Sequence, residues 1–405
     1  MPTLDQRTRT SGTVREVDVA EFFDGELPQL AADRSELAVP GARELGVQPF
    51  TLACPAGEWT LQVAGDAIEV RRGDGDADSG RVFLSDDEVG QLVNDLITPM
   101  TLVASAGQHV QRGDHGNFLD WWVVLRSLID ERPAHTAGSV DFLDADGAPL
   151  DLERSFTPDD DDEELAQFLA QAGCAHLSGW FEPSEMQAID REMDAAFEHY
   201  RPEDGRSWWA ETAHGTQRAV RLQKFEEHSP TFTALLADDR FLRLGRLTGD
   251  DYEARTGGEA LEKPIGVVKG ISDLMWHKDC ALGMHSYRCC GLTVGISVTG
   301  ADEGSGQLAV VPGSHRALIQ PGFYRKAWGL PIRQLPTRAG DITVHCSCTF
   351  HMSHAPVTSE RRVIYTGFGL VERDEQALEH DAQVRIIREE AHRKVSQGPG
   401  TVNAT

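Results

Sequence analysis

The chain is poor in positive charge. In 405 residues, 38 Lys and Arg stand against 65 Asp and Glu, a formal net charge of −27. A surface of that sign repels phosphates, which argues against nucleic acid or an anionic membrane as partner. Long apolar runs are missing as well: none approaches the ~20 residues of a membrane-spanning helix, so no span is expected. The opening Met1-Pro2-Thr3-Leu4-Asp5-Gln6-Arg7 lacks the apolar core of a secretory signal. Cysteines number only seven, an odd count without regular spacing, which suits a reduced, cytoplasmic setting. What the chain does have is length, enough for two domains with cores of their own. No motif speaks to oligomeric state.

Residues 1–40 are polar and mixed without a sustained period, and read as a loosely held arm. From Phe50 the pattern turns strand-like: Phe50–Cys54, Trp59–Val63 and Ala67–Val70, followed by a Gly/Asp-rich turn over residues 73–78. That turn has no Glu at the position a calcium loop needs and no flanking helix pair, so it reads as solvated. Ser85 is placed to cap a helix with an acidic first turn, and Phe118–Ile129 reads as an amphipathic helix packing on the strands. Residues 41–150 therefore read as a small α+β domain of unknown role. It is vaguely similar to sterol-carrier lipid-binding domains but has no diagnostic motif of theirs.

After a boundary near 155, Thr157 and Pro158 are expected to start a helix, with the acidic run 159–164 favoured by the helix dipole. Gly173 should end it, Cys174–Leu177 form a strand, and Pro183–His199 form a second helix. Residues 205–258, with Trp208 and Trp209, read as mostly helix and loop. After Val371 the chain becomes an acidic-then-basic tail, 376–405, expected to fray.

The chemistry concentrates in two stretches. In Leu274-Met275-Trp276-His277-Lys278-Asp279-Cys280, a His and an Asp two apart on a strand point to the same side. One imidazole and one carboxylate so placed can hold two corners of a divalent metal, and a third ligand completes an open 2-His-1-carboxylate triad. Downstream, Arg338-Ala339-Gly340-Asp341 is a turn leading into a strand, and His345, His351 and His354 each could supply that ligand. Arg361-Arg362 then opens a β-rich run; a guanidinium aimed inward there suits a carboxylate. Between the two, Cys290–Val298 alternates, with Leu292, Val294, Ile296 and Val298 on one face and small residues on the other. Together these segments describe a metal-bearing antiparallel barrel of short strands.

The block from about 159 to 372 resembles the phytanoyl-CoA dioxygenase family of Fe(II)/2-oxoglutarate oxygenases. The matching features are Trp276-His277-Lys278-Asp279, Val311-Pro312-Gly313-Ser314-His315-Arg316, Ala339-Gly340-Asp341, His351-Met352-Ser353 and Arg361-Arg362-Val363-Ile364. The resemblance implies an overall α+β chain. Its C-terminal part, 155–375, would be a double-stranded β-helix (jelly roll) with flanking helices, preceded by the smaller α+β domain. It further implies Fe(II) held by His277, Asp279 and His351, with 2-oxoglutarate as co-substrate and O2 as oxidant. Ser353 would help hold 2-oxoglutarate, and an arginine would pair with its distal carboxylate. The implied reaction is hydroxylation of a C–H bond in a small-molecule substrate of lipid, acyl or natural-product class, giving succinate and CO2. Two features depart from the pattern. Lys278 stands where the family commonly has Gln, and the loop after His351 is one residue short. Counting from His351 selects Arg362, whereas matching the strand selects Arg361, which is the preferred assignment; neighbours on a strand face opposite ways, so only one points inward.

Three rival readings remain. Cys346, Cys348, His351 and His354 form the best local cluster of soft ligands for zinc, although cysteines at strand spacing are more often core residues. A metal-binding jelly roll of different chemistry would not need the paired arginines. A non-enzymatic lipid carrier would leave the triad unexplained. His315 reads as a turn or packing residue.

Overall fold

The computed structural model describes residues 15–95, 97–104, 109–249, 252–270, 274–279, 291–320 and 322–370. Cys280, Cys290 and the tail 376–405 lie outside the described residues.

The described part of the N-terminal stretch departs from the expected arm. A helical turn α1 (Val19–Glu21), a π turn (Phe22–Glu26) and helix α2 (Leu27–Leu45) run on from one another. Val19, Phe22, Phe23, Leu27, Ala31, Ala38, Val39 and Ala42 from these turns are buried in one core. Their spacing follows a helix face, but small Ala residues and Pro40 thin the hydrophobic pattern that would reveal it. The helix ends at Gly46 in the left-handed region.

Next come β1 (Phe50–Cys54), β2 (Gly57–Ala64), β3 (Ala67–Arg72), β4 (Gly80–Phe83), α3 (Asp86–Val93), α4 (Pro99–Ala104), β5 (Val110–Arg112) and α5 (His115–Asp130). The strands form one sheet in the order β3-β2-β1-β4-β5. Ser85 caps α3 in a full capping box with Glu88, as its sequence indicates. Helix α5 is buried at every position from Phe118 to Leu128 and so lacks the polar face expected of it. The interior is filled by rings: Phe23 stacks on Trp59 at 4.9 Å and Phe50 on Phe118 at 5.6 Å.

Beyond residue 150 the acidic run starts its helix later than expected. Asp161 caps α6 (Asp162–Ala172), while Thr157 closes a local turn with Asp160. Gly173 ends α6 at φ 74°; a side chain there would strike the rings and hydroxyl of His315 and Thr349. The chain continues through β6 (Cys174–Leu177), α7 (Pro183–Ala196), β7 (Ser207–Thr212), β8 (Gln217–Leu222), α8 (Pro230–Leu236) and α9 (Asp239–Arg246). Trp208 and Trp209 therefore lie on a strand, within a region that reads from sequence as helix and loop.

The remaining strands are β9 (Tyr252–Ala254), β10 (Glu259–Lys263), β11 (Val267–Lys269), β12 (Leu274–His277), β13 (Gly291–Ser297), β14 (Leu308–Val311), β15 (Arg333–Leu335), β16 (Ile342–Cys346), β17 (Phe350–Ser353) and β18 (Arg361–Leu370). A large sheet runs β11-β7-β8-β10-β18-β13-β16-β6 with β9 beside β18, and a small one runs β12-β17-β14-β15. Both contribute to one core cluster with α6, α7, α8 and α9. Leu292, Val294 and Ile296 of β13 are fully buried there, as their alternation indicates. On the opposite, small-residue face of β13 a Cβ on Gly295 would meet Thr343 Oγ1 at 2.7 Å and the Tyr365 ring at 2.9 Å, so glycine lets these side chains pack against the strand. Asp341 ties β16 to β6 by accepting from the backbone N–H groups of Gly179 and Arg338 and touching His176 at 3.2 Å. Among the described residues no helix is long and apolar enough to cross a membrane.

Candidate metal centre and anion cradle

His277 ends the edge strand β12, and the chain carries Asp279 just beyond it. Its one strand neighbour among the described residues, β17, places His351 opposite His277 in register. Asp279 Oδ1 lies 3.5 Å from His277 Nε2 and 3.6 Å from His351 Nε2. One donor atom from each of the three residues falls within 4.8 Å of the other two, a spacing that one divalent ion with bonds of about 2.0–2.2 Å can bridge. Among the described residues this is the one such group.

The orientation of each donor is fixed from behind. His277 Nδ1 pairs with the carbonyl of Met275 at 2.7 Å, and His351 Nδ1 with that of Thr349 at 2.9 Å. Each ring therefore keeps its proton on Nδ1 and turns a bare Nε2 inward. Asp279 Oδ2 accepts from the Thr293 hydroxyl at 2.8 Å and faces His345 Nε2 at 3.5 Å. Thr293 and His345 are cross-strand partners on β13 and β16, so one rung of the large sheet holds Oδ2 and leaves Oδ1 for a metal. His345 is 1% exposed, and apart from that contact its ring nitrogens have no hydrogen-bond partner among the described residues.

The charge states suit a metal. Burial opposes ionisation of Asp279, but the neighbouring His351 and contacts from His277 and His345 hold its carboxyl well below the usual range. Burial, then the proximity of His277 and His345, pushes His351 well below the ordinary imidazole value. A carboxylate beside the neutral His351 imidazole, with His277 Nε2 turned toward it, is a donor set that hard and borderline divalent ions such as Fe(II) take.

Of the three candidate histidines, His351 joins His277 and Asp279, His345 stands behind the carboxylate, and His354 is exposed past the end of β17. Cys346 and Cys348 are buried free thiols outside the group. His315 pairs through Nε2 with the carbonyl of Ala170 near the end of α6 at 3.0 Å, in keeping with a packing residue.

A second polar cluster lies along the same inner face. Arg361 is 5% exposed and donates to the Gly306 carbonyl at 2.7 Å and the Ser353 hydroxyl at 3.3 Å. It also reaches the Tyr365 hydroxyl at 3.3 Å, and its Nε is buried without a partner. Arg362 faces the other way, onto Asp190, Asp194 and Glu262. Lys263 stands opposite Arg361 in register, and its Nζ donates to the Ser353 hydroxyl at 2.7 Å and the His354 carbonyl at 2.6 Å. Two buried cations thus converge on one hydroxyl, and among the described residues Arg361 forms no ion pair. Such a cradle is built for an anion. Sequence reasoning did not find Lys263, Thr293 or Tyr365; only the alternation on β13 hinted at Thr293, and Lys263 sits in a strand with no motif.

No curated protein matches the chain. In fold, the chain is similar to the non-heme alpha-ketoglutarate-dependent epimerase SnoN from nogalamycin biosynthesis. Identity is 20%, over 51% of this chain and 82% of that one, with a TM-score of 0.42. It is likewise similar to EctD from S. alaskensis in its apoform, at 20% identity over 56% and 87% of the two chains, with a TM-score of 0.43. For the carbocyclase SnoK, also from nogalamycin biosynthesis, the values are 21%, 55%, 87% and 0.41. The family model of phytanoyl-CoA dioxygenase (PhyH) matches residues 169–364, a span containing His277, Asp279, His351 and both arginines.

Proposed function

We propose that the chain is an Fe(II)/2-oxoglutarate-dependent dioxygenase that hydroxylates a C–H bond of a small-molecule substrate, with His277, Asp279 and His351 as the iron ligands. The observation that carries this reading is the convergence of two Nε2 atoms and Asp279 Oδ1, each held by a contact on its far side. The two sheets are read as the jelly roll that the family implies. Iron and 2-oxoglutarate, when bound with O2, supply the oxidant that breaks a C–H bond, with succinate and CO2 as products.

The chain's own groups divide the remaining work. The carbonyls of Met275 and Thr349 hold the Nδ1 side of both imidazoles and aim each Nε2 inward. Thr293 and His345 hold Asp279 by one oxygen, so that the other serves as a single donor. Asp279 fills the carboxylate position of the triad, which favours hydroxylation over halide transfer. Arg361, Lys263 and the Ser353 hydroxyl provide the positive cradle for the distal carboxylate of 2-oxoglutarate. Arg362 is tied to acidic partners on the opposite face and takes no part. A substrate of lipid, acyl or natural-product class remains the expectation.

The test is anaerobic addition of Fe(II) and 2-oxoglutarate, which gives a weak visible charge-transfer band when both bind at an open site. The band should vanish in His351→Ala and persist in His354→Ala. Screening substrate-dependent succinate formation across acyl thioesters, amino acids and natural-product scaffolds then identifies the substrate. Retention of the band in His351→Ala would overturn the assignment.

A further inference from the structure

Strand β12 is weakly secured for an element carrying a metal ligand. Among the described residues it lies at the edge of the small sheet and pairs only with β17, through a ladder whose register shifts between Leu274 and His277. Its placement therefore depends on what covers its back. Strand alternation turns Trp276 and Lys278 away from the metal face, and Phe350 on β17 likewise turns away from His351. Behind the two strands Trp276 stacks on Phe350 at 5.7 Å and on Tyr324 at 5.1 Å, and Trp328 stands edge-on to both Phe350 and Tyr324. Lys278 is fully buried and donates to the Ser314 carbonyl at 3.2 Å. The back of the triad is thus formed by the segment from Ser314 to Leu330.

That segment is in turn held by the N-terminal part of the chain. Asp120 of α5, 4% exposed, pairs with the Arg325 guanidinium. The His135 backbone N–H donates to the Leu318 carbonyl at 3.1 Å, and its ring meets the Trp328 carbonyl at 2.9 Å. Arg132 donates to the Arg316 carbonyl. Val123 of α5, Ala134 and Leu318 form a small buried cluster. The linker carrying His135 is itself pinned to α2, where the Ala134 N–H donates to the Leu37 carbonyl and the Ala137 N–H to the Glu44 carboxylate.

We propose that the N-terminal sheet-and-helix unit is a clamp for the metal-bearing edge strand. It acts through Asp120, His135 and Arg325 as positioning residues that press Tyr324 and Trp328 against Trp276 and so fix His277 and Asp279. The proposal rests on the metal-site reading above. The N-terminal side of each contact, Asp120, Arg132 and His135 among them, lies before residue 169 and outside the span that matches the family, while Arg325 and Trp328 lie within it. Supporting contacts of this kind typically change metal affinity by about 10–100-fold.

The experiment uses the full chain with His135→Ala/Arg325→Ala, and separately Asp120→Asn, which preserves side-chain size should the double variant fold poorly. Hydrogen exchange of the metal-free protein is read on peptides covering 274–279 and 350–353, with peptides of 118–128 reporting whether the N-terminal unit remains folded. Co(II) titration, followed by its visible absorption, reads the site. Exchange over 274–279 should quicken about tenfold while 118–128 stays protected, since the edge strand opens locally once its backing loosens. Co(II) affinity should fall about tenfold. Wild-type exchange over 274–279 in both variants would overturn the clamp. His277→Ala separates the two ideas: if it still binds Co(II) like the wild type, the metal-site reading fails, while the exchange data on metal-free protein still decide the clamp.

Discussion

The two halves of the molecule treat buried polarity in opposite ways. The N-terminal interior is a wall of rings and aliphatic side chains, Trp59, Trp121, Phe23, Phe50 and Phe118 among them. Its buried cation, Arg126, is matched by Asp130 and by the Leu92 and Val93 carbonyls. The C-terminal interior places Asp279, His345, His351, Lys263 and Arg361 in one enclosed space. Single buried atoms without a hydrogen-bond partner occur in both halves among the described residues, Asp120 Oδ1 and Trp122 Nε1 in the first and Arg361 Nε in the second. What sets the second half apart is the gathering of ionisable side chains at one place, an arrangement that opposes folding unless a bound ion offsets it.

The largest effect should come from removing a member of the triad. His277→Ala, Asp279→Ala or His351→Ala is expected to abolish the Fe(II)–2-oxoglutarate band and succinate formation. A circular-dichroism melt should stay near that of the wild type, because none of the three is a packing anchor. Full turnover in any of them would erase the contrast between the halves.

Arg361→Ala should raise the half-saturating 2-oxoglutarate concentration by about 10- to 100-fold, given the ~1.5–3 kcal/mol typical of a hydrogen bond to a charged group. Arg362→Ala should leave that concentration within about twofold and lower the melting temperature instead, since it loses Asp190, Asp194 and Glu262. Equal, small effects at both positions would place the co-substrate carboxylate elsewhere.

In the N-terminal half, Trp59→Ala removes a fully buried ring and should cost about 3–5 kcal/mol, read by denaturant unfolding. Below the transition it should leave the 2-oxoglutarate requirement unchanged. A pH effect comes next. Burial pushes the Asp120 carboxyl up to about 6 against the pull of Arg325, from an ordinary 3.8. The folded state therefore holds a proton that the unfolded chain gives up. The associated stability is fully present below about 3.8 and is lost as pH rises through about 6, on the order of 3 kcal/mol in all. Asp120→Asn cannot titrate, so the wild type should lose stability relative to it between pH 4 and 6, measured as paired unfolding curves. A flat difference would mean that Asp120 stays ionised in the fold. The smallest effect expected is none: Cys346→Ser/Cys348→Ser should keep the metal band, and its loss would revive the zinc reading.

Legibility differed between the same two halves. The grouping of His277, Asp279 and His351 was open to sequence reading because its side chains are chemically distinctive and two of them sit at strand spacing. The alternation of β13 was readable because one of its faces is wholly apolar. Helix α2 was missed because its buried face relies on Ala31, Ala38 and Ala42, whose contribution depends on the sheet packed against them. Thr157 looked like a helix cap, yet Asp161 competes four residues later with a carboxylate that accepts from two N–H groups, Glu163 and Glu164. Strands β7 and β8, which pair with each other as a local hairpin, were also missed; their outer neighbours β11 and β10 lie well downstream.

The sequence by itself determined which residue types meet: two imidazoles, a carboxylate, an arginine and a serine, in an order that matches one family. It narrowed the third ligand to three histidines and the anchor to two neighbouring arginines. Tertiary structure chose among them, because strand pairing decides which side chains share an enclosed face. The β12–β17 ladder sets His351 against His277, the β13–β16 rung turns His345 and Thr293 onto one oxygen of Asp279, and the β10–β18 register brings Lys263 beside Arg361 while sending Arg362 to α7. None of these pairings has a local signature, since each joins segments that only the folded sheet makes neighbours.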